Sequence, residues 1–373
     1  MPALKSKNPS VELVRIVAIL LVIMAHSQLG VSFGETLVKG RLAISTMIAD
    51  DVPLFLLVTG FFFFGRVKQD SDIVSTFKYK LKSFAKTIYI PTILFILISI
   101  IYRYFAQSVP SLADADWDYL GRFVFRLSPG DHLWYICTYM SFVFFFPMLA
   151  FICQDSPEKN KLRRLLLAVA VGGAVIADVQ YFFRMSMLDI EKYLWGYCTI
   201  FLILGYELSL WVKKFDLQQM PQRLKLAAVG AGLYLAGFMV KFGAQIYMFE
   251  QYNYGNNRFR WLQCTPCFVT AVGMFLLVYA IGSLVKKEGK LALVINFFGS
   301  CTFAIYLFHQ LVINETGAWR NSLVQTFSGS ETFLTAAGYY GGYALAVFFS
   351  TFVVALVFKL AVDNSVGRIF KIK

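Results

Sequence analysis

Apolar residues gather into ten segments, at roughly 12–30, 42–64, 84–105, 132–152, 165–182, 194–212, 224–247, 262–284, 293–313 and 335–358. Each comes close to the roughly 20 residues that an α-helix needs to cross a bilayer. The stretches between them are mostly short and polar. The pattern predicts an all-α polytopic membrane bundle of about ten transmembrane helices. Residues 1–373 then form a single membrane domain, with no room for a separate soluble one. The fifth segment is the least apolar, because Asp178 and the pair Gly172–Gly173 dilute it.

The polar positions orient this bundle. Lys5, Lys7 and Arg15 precede or open the first segment. Arg66, Lys68, Lys78, Lys80, Lys82 and Lys86 lie between the second and the third, and Lys159, Lys161, Arg163 and Arg164 between the fourth and the fifth. Lys213, Lys214, Arg223, Lys225, then Lys286, Lys287, Lys290, and finally Lys359, Arg368, Lys371, Lys373 continue the alternation. Together these are 24 of the 35 Lys and Arg. An excess of Lys and Arg marks cytoplasmic loops, so both termini are expected in the cytoplasm, in agreement with an even number of spans. The first segment carries Arg15 and His26 and no clear small-x-small cleavage site follows it. It reads as an uncleaved first span.

Composition sharpens the class. The chain is 58% hydrophobic and 15% charged, with 38 Phe and 20 Tyr, and its mean hydropathy is +0.62. Soluble domains carry about a quarter charged residues. In a soluble chain the net charge of +13 would suggest nucleic acid. Here the cations sit between apolar spans, so membrane lipid is the expected partner and nucleic acid is not. Cys264 and Cys267 form one CxxC without a second pair, so no zinc or other metal site is expected.

Ionisable side chains within spans are costly and mark function. Arg15 and His26 are eleven residues apart, about three helical turns, so they share one face with about 16 Å of rise between them. His132 lies at the outer mouth of the fourth segment and His309 near the outer end of the ninth. The three histidines of the chain are therefore all expected on the extracytoplasmic side. Arg15, Lys82 and Lys86 fall at the cytoplasmic face. Arg and Lys suit phosphate, so a phosphorylated donor held from the cytoplasm is expected to reach up the bundle towards an imidazole. Coenzyme A has that shape: a charged nucleotide head and a long thin arm. Trp134 and His132 are placed to line an acceptor mouth, where an aromatic face suits a sugar ring. Glu12 pairs with Arg15, three residues on. Asp50 and Asp51 read as ending a loop or capping the second span, and Glu207 and Lys241 lie within spans without an assigned role.

These residues carry a resemblance. Glu12-Leu-Val-Arg15 through His26 resembles the first-span signature of the acyltransferase-3 family of membrane acyltransferases, a basic residue, ten intervening residues, then His. Val52-Pro-Leu-Phe-Leu-Leu-Val-Thr-Gly60 resembles the second-span pattern, with Thr59 where Ser is usual. Lys82-Ser-Phe-Ala-Lys86 before Ile90-Pro91 is similar to the Arg-x-x-x-Arg motif with Lys at both positions. His132-Leu-Trp-Tyr135 with Phe146-Pro147 resembles the fourth-span motif, and Gly299 through His309 the ninth.

The resemblance implies ten helices, an acyl-CoA co-substrate on the cytoplasmic side, and O-acylation of a surface polysaccharide or lipid-linked glycan. The chain resembles short members of the enterobacterial-common-antigen O-acetyltransferase type, which implies the bacterial inner membrane. It points to acetyl-CoA as donor, with no permanently bound cofactor. His26 is then the catalytic base or a transient acyl carrier, and Arg15 a catalytic and donor-binding residue. Lys82 and Lys86 are the further donor-binding candidates; His132, Trp134 and His309 are the acceptor-binding ones. The main rival is a transporter of a glycan or lipid-linked sugar, which broken helices and midplane charges would favour. A membrane-bound sensory or binding module is a second.

Overall fold

In a computed structural model the described residues are 8–27, 39–65, 72–106, 131–185, 196–252, 258–260, 262–327 and 332–369. The topology cations Lys5, Lys7, Arg66, Lys68, Lys371 and Lys373 lie outside them. Among the described residues every regular element is helical. In chain order these are α1 (Pro9–Ser27), α2 (Lys39–Ile48), α3 (Asp51–Phe63), α4 (Ile73–Phe84), α5 (Ile90–Phe105), α6 (Trp134–Phe144) and α7 (Phe146–Ile152). Then follow α8 (Pro157–Phe182), α9 (Gly196–Val212), α10 (Met220–Tyr252), α11 (Thr265–Gly282), α12 (Lys290–Glu315), α13 (Gly317–Phe327) and α14 (Phe333–Ile369).

Prolines punctuate the starts. Pro9, Pro157, Pro221 and Pro266 occupy the first or second helical position, where a missing N–H costs nothing; Pro91 follows the π-helical turn and Pro147 the break after α6. Asp72 caps α4 by accepting from the Val74 and Ser75 amides at 2.9 and 3.3 Å. Those donors hold its carboxyl below the usual carboxylate range.

Eight helical stretches among the described residues are long and apolar enough to cross a membrane. The chain is a multi-pass membrane protein. Two of the ten segments read from the sequence differ from a straight span. The fourth bends by 68° between α6 and α7, and counts as a ninth span only if that bent pair is one. The cause is Pro147, which offers no amide to the turn before it. The sixth, α9, has 17 residues, just short of a full crossing. Between α4 and α5 the chain runs through a π-helical turn, Ala85–Tyr89.

The chain divides into two compact units, Met1–Gly65 with Leu162–Val353, and Arg66–Lys161 with Val354–Lys373. In the first, α1 packs on α12, α11 and α3; α3 packs on α9, and α10 on α11. Small residues set these approaches. A Cβ at Gly60 or Gly205 would collide with the α9 or α3 backbone across that contact, and one at Gly230 would lie 2.6 Å from the Leu277 amide nitrogen. Close backbone approach is the usual way helices associate where lipid removes the hydrophobic drive. In the second unit α4 packs on α6 and α7.

Candidate functional site

The first unit holds the stripe that the sequence marks. Asn8 opens α1, its carbonyl accepting from the Val11 and Glu12 amides and its Oδ1 from the Ser10 amide at 3.1 Å. Arg15 Nη1 donates to Glu12 Oε1 at 3.0 Å. The Arg15 side chain is about a third exposed and its guanidinium lies 5.9 Å from the Phe62 ring centroid. Glu12 is the buried partner. Its Oε2 has no hydrogen-bond partner and presses against Gly299 of α12, where an added Cβ would stand 2.7 Å from the Glu12 Cβ. Gly299 thus leaves the room that Glu12 occupies beneath Arg15.

Higher on the same face, His26 is half-buried and its Nδ1 lies 2.9 Å from the Val22 carbonyl oxygen. A carbonyl only accepts, so Nδ1 carries the proton and Nε2 of the neutral ring is a lone pair. His309 of α12 is fully buried, and its Nδ1 lies 2.6 Å from the Tyr306 carbonyl oxygen, which fixes the same tautomer. The two rings meet edge to face, centroids 5.0 Å apart at 81°. Asp51, the first residue of α3, stands within Coulombic reach of His26 and accepts from the Val52 amide at 2.6 Å.

The second unit holds the other candidates. His132 is buried in the short turn Asp131–Leu133, edge-on to Phe95 with centroids 6.1 Å apart. Trp134 follows it as the half-buried first residue of α6. Lys82 is exposed in the last turn of α4 and Lys86 half-buried in the π-helical turn. The structure therefore joins Arg15 to Glu12 and His26 to His309; Lys82, Lys86, His132 and Trp134 belong to the other unit.

The remaining intramembrane charges have partners that the sequence did not disclose. Asp50 ends the turn between α2 and α3, in the N-cap position of α3 but without a side-chain cap bond. Fully buried, its Oδ1 accepts from Lys241 Nζ at 3.3 Å, Thr270 Oγ1 at 2.7 Å and Cys267 Sγ at 3.3 Å. Lys241 also donates to the Thr46 carbonyl at 3.1 Å. Asp50 Oδ2 has no partner. Glu207 accepts from the fully buried Arg163 at 2.5 Å, and Asp178 binds Arg258 Nε and the Thr265 amide, each at 2.6 Å. No local periodicity signals such pairs, because their members come from different helices. Among the described residues no three His, Cys, Asp or Glu side chains gather as a metal site.

What the stripe can do chemically is accept a proton or an acyl group at His26 Nε2, with a guanidinium about three turns below it. Comparison with known proteins gives the family. The acyltransferase-3 family model, described as an acyltransferase domain, matches residues 8–360. No curated protein and no solved structure matches the chain. With nearly its whole length matched, and with the basic-x10-His stripe in place on its first helix, the chain belongs to the acyltransferase-3 family of membrane acyltransferases.

Proposed function

We propose that the protein transfers an acyl group, acetyl by family habit, from acyl-CoA on the cytoplasmic side to a hydroxyl of a surface polysaccharide or its lipid-linked precursor. It would do so in the bacterial inner membrane. The observation that carries this reading is the anchoring of His26 Nδ1 on the Val22 carbonyl. That contact makes Nε2 a base or nucleophile without any proton rearrangement.

Two routes use the same nitrogen. As a general base, Nε2 takes the proton of the acceptor hydroxyl while the oxygen attacks the thioester carbon. The C–S bond breaks, and the imidazolium returns its proton to the leaving thiolate. As an acyl carrier, neutral Nε2 attacks the thioester itself; a C–N bond forms and the thiolate leaves, giving an acyl-imidazolium that keeps its Nδ1 proton. The acceptor oxygen later displaces the neutral imidazole, and the hydroxyl proton passes through solvent to the thiolate. In the second route donor and acceptor need not meet at one moment, which suits substrates arriving from opposite faces. Arg15, held by Glu12 at the foot of the stripe, would bind donor phosphate. Lys82 and Lys86 are proposed as further donor contacts, and His132, Trp134 and His309 as the acceptor side.

The test is mass spectrometry of surface glycans from strains with the gene intact, deleted, or carrying His26→Ala. Loss of one acyl mass in both altered strains, with the glycan still at the surface, supports the reading. Glycan accumulating inside the cell would instead support the transporter reading, and a lost mass other than acetyl would correct the donor.

A further inference from the structure

At the foot of α1 lies a cavity of about 710 Å³, lined among others by Asn8, Tyr279, Arg223, Lys286, Lys287 and Glu288. Its size is in the range of small-molecule sites. Three cations and one carboxylate line it, an excess that suits an anion. The wall is built, not casual. The loop 213–219 between α9 and α10 and the loop 283–289 between α11 and α12 share one conformation, offset by seventy residues. The Lys214 amide bonds to the Trp211 carbonyl, Phe215 to Val212, Gln219 to Asp216 and Arg223 to Gln219. Leu284 bonds to Ile281, Val285 to Gly282, Gly289 to Lys286 and Leu293 to Gly289 in the same order. Arg223 is pinned across its own loop, to the Leu217 and Gln218 carbonyls. Asn8 Nδ2 donates to the Tyr279 hydroxyl at 3.3 Å and ties the floor of the cavity to α11. Lys286 and Lys287 are exposed on the facing loop.

The position of the cavity gives it a meaning. Asn8, Arg15 and His26 are seven and eleven residues apart. At about 100° per residue all three fall on one stripe of α1, with about 27 Å of rise from first to last. A ligand with its anionic head in the cavity and an extended arm along this stripe would pass Arg15 and present its far end to His26. We propose that this cavity binds the phosphorylated nucleotide head of the acyl-CoA donor, with Lys286 and Lys287 on its phosphates and Arg223 as the fixed cation of the wall. The assignment rests on the acyl-CoA reading above. The recognising chemistry is phosphate, which an anionic lipid headgroup also carries, so the experiment separates the two.

The full-length protein in nanodiscs of neutral phosphatidylcholine is titrated with CoA, 3′-dephospho-CoA and pantetheine, as wild type and as Lys286→Ala/Lys287→Ala. Lys287→Glu and Lys287→Arg serve as reversal and rescue. Both lysines are exposed, and thermal unfolding of each variant confirms an intact fold. The expected result is about tenfold weaker CoA binding in the double variant, the loss that a charge-assisted phosphate contact carries. Pantetheine binding stays unchanged, salt dependence is shallower, Lys287→Arg recovers affinity and Lys287→Glu loses more. Equal CoA affinity in wild type and double variant overturns the nucleotide site while leaving acyl-CoA as donor. No CoA binding to the wild type overturns the donor reading and this site with it. Native mass spectrometry after incorporation of phosphatidylglycerol gives the last arm: if the variants lose bound lipid and keep CoA, the cavity holds a headgroup and the nucleotide assignment is overturned.

Discussion

His26 and His309 meet edge to face with ring centroids 5.0 Å apart, each ring tethered through Nδ1 to a carbonyl of its own helix. The contact joins α1 to α12, and it gives two imidazoles the same tautomer side by side. Only His26 is partly open to a reactant; His309 is buried behind it.

Replacing His26 by Ala removes the one lone-pair nitrogen on the exposed stripe. Transfer should fall by at least about 100-fold, the low end of what general acid–base groups supply. The amount of protein in the membrane should not change. Acyl transfer to a soluble hydroxyl acceptor, read by released CoA thiol, measures the first; quantitative immunoblotting measures the second. Full activity in this variant would remove His26 from the chemistry.

His309→Phe keeps an aromatic edge against His26 and removes the Nδ1 tether to Tyr306. If His309 orients the His26 ring, transfer should drop about tenfold in kcat, the scale at which loss of one positioning contact is felt, with KM for acyl-CoA unchanged. His309→Ala should also unfold earlier, because an edge-to-face pair contributes about 0.5–1.5 kcal/mol beyond its buried area. Equal kcat for wild type and His309→Phe would reduce His309 to packing.

Gly299→Ala tests the floor of the site. The new methyl group meets the buried Glu12 side chain, so α1 and α12 must part or Glu12 must leave Arg15. Overpacking of this kind costs about 1–3 kcal/mol. The variant should melt at a lower temperature in detergent and lose transfer together, since the same helix pair carries His26 and His309. A melting temperature equal to wild type would mean that α1 yields freely there.

Arg15→Ala should raise the acyl-CoA concentration needed for half-maximal transfer, about tenfold for one charge-assisted contact. Arg15→Lys should restore only part of it, because a lysine lacks the planar fork that holds both Glu12 and a phosphate. If donor dependence is unaltered in both, Arg15 does not touch the donor.

The stripe was legible because a helix repeats every 3.6 residues: eleven positions between Arg15 and His26 say that they share a face, whatever surrounds them. Likewise the apolar runs gave the class and, through Lys and Arg, the orientation expected of the loops. The His26–His309 contact was not legible, since it depends on which helix lies beside α1, and nothing local in either segment states that. The bend between α6 and α7 could have been read from Phe146-Pro147, where a proline inside an apolar run interrupts the hydrogen-bond ladder. Arg223, Lys286 and Lys287 were visible only as markers of sidedness; the paired loops that turn them into a cavity wall share a backbone shape with no shared sequence.

The Asp50–Lys241 pair is the clearest case of chemistry hidden from sequence, its members 191 residues apart and both fully buried. Removing one partner leaves the other charge without compensation in the bundle, which costs about 3–5 kcal/mol in buried pairs. Lys241→Met alone strands Asp50 with only Thr270 and Cys267 as donors, and Asp50→Leu alone strands Lys241 on the Thr46 carbonyl. Each single variant should therefore accumulate poorly or melt much earlier. The double variant, apolar on both sides, should recover most of the lost stability, as apolar replacements of whole buried pairs do. Thermal unfolding of the four proteins closes the cycle. A double variant as unstable as the sum of the singles would show that the two charges act independently. Recovery of stability without recovery of transfer would give the pair a second task, holding the break between α2 and α3 that sets Asp51 within Coulombic reach of His26.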